Sequence, residues 1–370
     1  THAVKLYAQS NTNPNLEYVM TLTDQFADDA PITALVQVQP IATASGNPAV
    51  QSVNLFGDGG SLDTAFSLAN LTSTGSLGNV TVRGSGGLGN VTAPNIIGNI
   101  SVLKGGITGI IQTTGIRIDP ITGTETAVNA DLGQLLYKNG KVTGVTTISS
   151  KLAISGQIIS RGDLISSITA GGGFSGVIAA QGNIGAILRD SNGDAITKSG
   201  KLTRFGGISI TGNDSGQIIA LGNIFGDITV KGQLTGRIAA KGATVSGIDS
   251  SRTGILGNIK VKSAFSATAA VVSGGIIGDT AGKTTFSCGA ASGYLAANGA
   301  INASKKVSAS DIFQNSQGSA NGAMIDAVFT DGSVALQISS GPAGPAALGL
   351  IESDLNALQI SGGSLAGTTP

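Results

Sequence analysis

GGISITGNDS, GQIIALGNIF, GDITVKGQLT and GRIAAKGATV follow one another over residues 206–245, four decads of one pattern. Gly206, Gly216, Gly226 and Gly236 open them, and Gly212, Gly222, Gly232 and Gly242 recur at the seventh place. A fixed short period marks an architecture of stacked repeats. Places 3, 5 and 9 are mostly apolar: Ile208 and Ile210; Ile218, Ala220 and Ile224; Ile228, Val230 and Leu234; Ile238 and Ala240. The places between are often polar, as in Asp227, Thr229, Lys231 and Gln233. This period of two belongs to a strand with one buried face. A helix needs a period of about 3.6 and is weakened by frequent glycine.

The decads alternate in pairs. A hydroxyl residue precedes the opening glycine at Ser155-Gly156, Ser175-Gly176, Ser215-Gly216 and Thr235-Gly236, whereas Phe205-Gly206 and Phe225-Gly226 fall on the other half of the cycle. The repeat is therefore about twenty residues holding two strand-turn units, the size of one rung of a stacked β coil. The predicted fold is all-β: a parallel β-solenoid, right-handed β-helix-like, capped by irregular β segments. Two or three sides per rung both fit the spacing. Rungs stack at about 4.8 Å, and glycine is expected at the corners because it accepts positive φ.

The register extends outward through GQIISRGDLI, SSITAGGGFS and GVIAAQGNIG (156–185). Upstream it reappears as GNVTVRG (78–84), GNVTAPN (89–95) and GNISVLK (98–104), and GNIKVKS (257–263) is the last clear copy. The core is thus expected over 73–265, about nine rungs and on the order of 40 Å long. Inserts interrupt it at 116–146 and 186–205, carrying the hairpin signals Asn139-Gly140 and Asn192-Gly193. Residues 1–72 break the pattern and read as an N-terminal cap or small β domain. Residues 266–370 read as degenerate rungs followed by a C-terminal cap or assembly segment. Strand-like runs are expected there at 327–339 and 355–361, and a short helix over LIESDLNAL.

Composition narrows the function. The chain has 57 glycines and no Trp, and only 11% of it is charged. The ordered Ile/Val/Leu alternation supplies the buried surface that a disordered chain lacks. Formal net charge is zero and no basic cluster occurs, so nucleic acid is not an expected partner. No apolar run reaches the eighteen or so residues of a membrane-spanning helix, so membrane insertion is not expected.

Residue types that carry chemistry are sparse. His2 is the single histidine, and Cys288, set among small residues, reads as a buried structural thiol rather than a nucleophile. Asp190, Asn192 and Asp194 place oxygen ligands at alternate positions, as a calcium loop does at its start. Gly193 and Lys201 stand where that loop's pattern is broken, so a polar hairpin tip competes with a calcium site. Calcium is the one cofactor the sequence admits. GDGGSLD (57–63) is a single Gly/Asp-rich stretch of the calcium β-roll kind. Arg161, Asp163, Arg189 and Asp190 are the best cluster for a polysaccharide-active site. Asn70, Asn79, Asn90, Asn99, Asn213 and Asn302 lie in N-x-S/T sequons, and stacked copies of such Asn residues are expected to form a ladder. Ile219 and Leu221 occupy outward places and Phe225 closes their decad, which marks an assembly surface. Cover by another part of the chain is the competing reading.

GQIIALGNIFGDITVKGQLTGRIAAKG resembles bacterial extracellular β-solenoids: adhesins, autotransporter-passenger-like surface proteins and fibre-forming solenoids. The resemblance is architectural and implies an extracellular or cell-surface location. The expected function is a non-enzymatic structural protein of the surface or matrix, a homo-polymer or homo-oligomer building a filament, fibre or layer. Two alternatives share the fold: an adhesin binding a ligand such as a surface glycan through its inserts, and a polysaccharide-active β-helix enzyme.

Overall fold

The chain is described from a computed structural model. The described backbone comprises residues 3–8, 19–22, 35–40, 49–55, 58–119, 122–266, 268–291, 294–297, 301–302, 312–314, 323–330, 333–340, 348–354 and 357–362, with side chains described within 50–302. Every regular element among these residues is a β-strand. Two compact units are present, Thr1–Gly172 and Gly173–Pro370.

In the first unit, successive strands alternate between two parallel sheets. One sheet takes Ala3–Ala8, Leu35–Pro40, Gly60–Thr64, Leu77–Val82, Ile100–Val102, Lys141–Ser150 and Leu164–Ala170. The other takes Val19–Leu22, Ala49–Leu55, Ser67–Ser73, Leu88–Ala93, Ile110–Thr113 and Gln157–Ser160. Val80 pairs with Ile100 and Ile148 with Ile168, while Leu71 pairs with Val91 and Val91 with Ile111. Each partner lies twenty residues along the chain. Across the 116–146 segment the register is kept, because Ile100 pairs with Ile148 and Ile111 with Ile158. Strands from residues 1–72, where the decad pattern fails, pair into the same sheets. Longer strands obscure the ten-residue punctuation without changing the pairing.

The second unit repeats the scheme. Gly207–Ile210, Asp227–Val230, Ile259–Val261 and Phe286–Ser287 form one parallel series, with Ile208, Ile228, Ile259 and Phe286 in register. Val177–Ala180, Gln217–Ala220, Arg237–Ala240, Ala270–Ser273, Tyr294–Ala297 and Ile312–Gln314 form the other, with Ile178, Ile218, Ile238, Val271 and Leu295 in register. Parallel pairing therefore continues beyond residue 265. Ninth-place residues also stack, through the single-residue parallel bridges Phe174–Asp214, Asp214–Leu234 and Leu234–Phe265. Ile208, Ile218, Ile228, Ile238 and Leu234 are all buried, and the Phe265 and Phe286 rings meet edge-on at 5.0 Å. Apolar residues stacked in register bury their side chains against one another from strand to strand.

Two local expectations change. Of the decad glycines, Gly206 and Gly242 do take positive φ, at 79° and 87°, but Gly236 does not. A Cβ on Gly236 would lie 2.0 Å from the carbonyl oxygen of Gly216 in the neighbouring strand. Close backbone stacking, not turn conformation, demands glycine there. The helix expected over LIESDLNAL is instead the strand Leu348–Asp354, paired antiparallel with Ser333–Ser340 and Ala357–Gly362 in a four-stranded meander that begins at Ala323–Thr330. Strand partners on both sides outweigh the local helical preference.

Candidate functional site

Polar side chains next to the sheets are largely spent on linking one strand to the next. In the first unit Ser61 Oγ accepts from Asn79 N at 2.9 Å, Asn79 Oδ1 from Asn99 N at 2.8 Å, and Asn99 Oδ1 from Thr147 N at 2.8 Å. A parallel series runs from Asn90 Nδ2 to Asn70 Oδ1 at 2.9 Å and from Ile110 N to Asn90 Oδ1 at 2.9 Å. In the second unit Asn183 Oδ1 accepts from Asn223 N, and Asn223 Oδ1 accepts in turn from Gly254 N at 2.7 Å. Asn213 Oδ1 receives Gln233 N. The sequon asparagines of the repeat are thus ladder residues. Apart from Asn70 Oδ1, which accepts the Asn90 side-chain amide, each of these side-chain oxygens takes a backbone N–H of the next strand or turn. Carboxylates serve likewise: Asp58 holds Ser76 N and Arg117, Asp63 holds Arg83, and Asp227 holds Asn258. GDGGSLD accordingly provides strand-to-strand contacts.

The 186–205 insert is a double hairpin. Ala186–Ile187 pairs antiparallel with Arg204–Phe205, and Thr197–Lys198 with Lys201–Leu202. Its inner tip carries the calcium candidates. Asp190 Oδ1 accepts the backbone N–H groups of Asn192 and Asp194, both at 2.9 Å, and the Asp194 carboxylate holds the Ser246 hydroxyl. Arg189 Nη1 donates to Gly193 O at 2.6 Å. The tip is an Asx-type turn whose Asp190 oxygen is already committed to backbone, with a guanidinium beside it. Among the described residues no three His, Cys, Asp or Glu side chains come together as a metal group.

The insert also corrects the expected assembly surface. Phe225 is 1% exposed, packed with Ile187, Ala195 and Leu202 of the insert and with Val245 and Leu256. Arg204 fastens this cover, donating to Leu256 O at 2.9 Å and to Asp227 at 3.0 Å. Ile219 is also buried, and Leu221 is half-buried. The decad keeps an apolar outward face because the chain covers it. Among the described residues four exposed large apolar side chains cluster on the 116–146 insert, Ile116, Ile118, Leu136 and Tyr137, the last 65% exposed; Leu103, Leu152 and Ile196 are exposed singly. That insert holds the antiparallel hairpins Ile116–Ile118 with Glu125–Ala127 and Leu135–Lys138 with Lys141–Ser150. The second turns at Asn139-Gly140, both at positive φ. In the same unit an open groove of about 610 Å³ is lined by Ser67, Asn70, Ser85, Asn90 and Thr108 over glycine backbone.

The remaining candidates are dispersed. Cys288 is buried, and His2 lies outside the described residues. Arg161 N is held by Thr113 Oγ1, and Asp163 N by Asp131 Oδ1, so that segment of the polysaccharide cluster is tied into local backbone contacts. The most perturbed group was not anticipated. Asp214 is 0% exposed and replaces an apolar residue in the stack Phe174–Asp214–Leu234–Phe265. Its Oδ1 accepts from Gly216 N at 2.9 Å, and its Oδ2 has no hydrogen-bond partner. Burial pushes its carboxyl up to about 7, against the pull of the Gly216 hydrogen bond. The signal was readable, since ninth places elsewhere hold Ile224 and Leu234. No protein family, curated protein or solved structure matches the chain.

Proposed function

We propose that the two alternating sheets are sides of a parallel β-solenoid with rungs of about twenty residues, and that the chain is a non-enzymatic structural protein of a cell surface or extracellular matrix that self-associates into a filament, fibre or layer. The observation that carries this reading is the use of polar side chains. The asparagine series Ser61–Asn79–Asn99–Thr147 and the ion pairs Asp63–Arg83 and Asp279–Arg252 link neighbouring strands instead of converging on a cleft. A stack built on in-register contacts is a scaffold whose ends offer strand edges to further copies. Negative-stain microscopy and light scattering of the purified chain over a concentration series test it. End-to-end or lateral polymers are expected, and a particle that stays monomeric at every concentration overturns it.

A second reading is favoured by one feature. The 116–146 insert exposes Ile116, Ile118, Leu136 and Tyr137, the apolar and aromatic side chains an adhesive contact uses. Replacing 116–146 by a short loop discriminates the two. Loss of binding to cells or glycan surfaces with polymerisation intact selects the adhesin.

A further inference from the structure

The two sheets of the second unit treat their outer faces differently. In Gly207–Ile210 and Asp227–Val230 alternate residues are open, with Ser209 and Thr229 partly exposed and Asp227 exposed. In Gln217–Ala220, Arg237–Ala240 and Ala270–Ser273 burial runs through consecutive residues. Ile218, Ile238 and Val271 fill the interior, so their neighbours Ile219, Ala239 and Val272 stand on the opposite face by alternation. These three are nevertheless 2%, 3% and 1% exposed. They are in register, Ile219 with Ala239 and Ala239 with Val272, and form one apolar strip. Gln217 and Arg237 flank it on the same face. Arg237 Nε is buried without a hydrogen-bond partner, and burial lowers its pKa. A strand buried on both faces needs cover on both sides.

We infer that this strip is the docking site of the chain's own C-terminal meander, residues 323–362, which closes over the outer face as a clip. Three observations select that occupant. The strand Ala323–Thr330 lies against Ala270–Ser273 and Tyr294–Ala297. The meander's register places Ile325, Phe329, Leu336, Ile338, Leu348, Leu350, Leu358 and Ile360 in one set of alternate positions, with Glu352 its one charged member, and Asp326, Thr330, Ser333, Gln337, Ser339, Gln359 and Ser361 in the other, together with Met324, Val328 and Ile351, so the first set is the more apolar. One face suits an apolar strip and the other suits water. Net charge differs in sign as well: residues 323–362 contain Asp326, Asp331, Glu352 and Asp354 and no Lys or Arg, whereas Arg237 flanks the strip. The linking segment 315–322, NSQGSANG, spans up to roughly 27 Å when extended.

The test keeps the whole chain and places a protease site within 315–322. After native cleavage, residues 323–370 are expected to co-elute with the rest of the protein in size-exclusion chromatography. Ala239→Asp sets a charge in the strip and is expected to lower retention at least about tenfold. Arg237→Glu is expected to weaken it more at low salt than at high salt. Ser209→Asp, on the other sheet's outer face, is expected to leave it unchanged. Hydrogen exchange on the uncut chain guards against a folding defect. Ala239→Asp is expected to deprotect 323–362 while 207–230 stays protected. Separation of the wild-type fragments, retention unaffected by Ala239→Asp, or equal deprotection of both segments overturns the proposal. Pairing of two fragment-free bodies would assign the strip to a second copy and overturn it too.

Discussion

Removing one buried carboxyl should change how stability depends on pH. Asp214 is fully buried between Phe174 and Leu234, with one oxygen on Gly216 N and the other unpartnered. Its pKa rises from 3.8 to about 7, mainly through desolvation. An acid raised on folding binds its proton more tightly in the native state. Its contribution to stability is therefore complete below about pH 4, declines as pH climbs through about 7, and is flat above. At about 1.4 kcal/mol per pKa unit, a shift of roughly three units makes the native state about 4 kcal/mol less stable at pH 8 than at pH 4 on this account alone. Asp214→Asn keeps the acceptor for Gly216 N and cannot ionise. Urea unfolding of both proteins at several pH values between 4 and 8 isolates the effect, since every other titrating group is common to the two. The gap between the curves should widen in favour of Asp214→Asn by about 2–4 kcal/mol from pH 4 to pH 8, and the thermal midpoints should diverge in the same sense. Parallel curves would refute the burial argument. Asp214→Leu, which supplies the apolar residue found at Leu234, should show the same pH trend.

Further outcomes follow from single contacts. Gly236→Ala places a methyl 2.0 Å from Gly216 O and should cost about 2–4 kcal/mol in urea unfolding, whereas Gly140→Ala, with open space around it but φ of 72°, should cost only about 1 kcal/mol. Asn223→Ala leaves Gly254 N, a buried donor, without its acceptor and should destabilise by about 1–3 kcal/mol, with faster amide exchange at Gly254. Arg252→Met strips the bidentate partner from Asp279, which is 2% exposed, and should cost about 3 kcal/mol in urea unfolding at pH 7.

Much of the strand pattern could be read from the sequence because it is written twice, in the alternation of Ile218 and Ala220 and in the twenty-residue spacing that sets Ile218 beside Ile238. The asparagine ladder was legible for the same reason: a polar residue at a fixed place in each repeat must meet its own kind. Asn139-Gly140 declared its hairpin through the left-handed conformation both residues tolerate. What escaped depends on which parts of the chain cover which. Ile219 and Phe225 read as exposed because the repeat carries no record of the insert or of the C-terminal strands. The Phe225 cover comes from Ile187 and Leu202, which have no place in the decad. Asp214 was passed over because hydroxyl and amide neighbours in GNDSG suggest a turn, though its ninth place predicts burial. The glycines were assigned to positive φ, but the constraint at Gly236 is the distance to the next strand, which no local pattern encodes.

Alternate strands stack in parallel and in register. Ser209 and Thr229 are paired neighbours on an outer face, and Lys260 is the next residue in the same column. Cysteines at 209 and 229 would have Cα atoms about 4.8 Å apart, within disulfide range, whereas 209 and 260 would be about 9.6 Å apart. Under mild oxidation Ser209→Cys/Thr229→Cys should form an intrachain disulfide rapidly, and Ser209→Cys/Lys260→Cys should not. Equal crosslinking of both pairs, or crosslinking of 209 to 260 alone, would contradict the account.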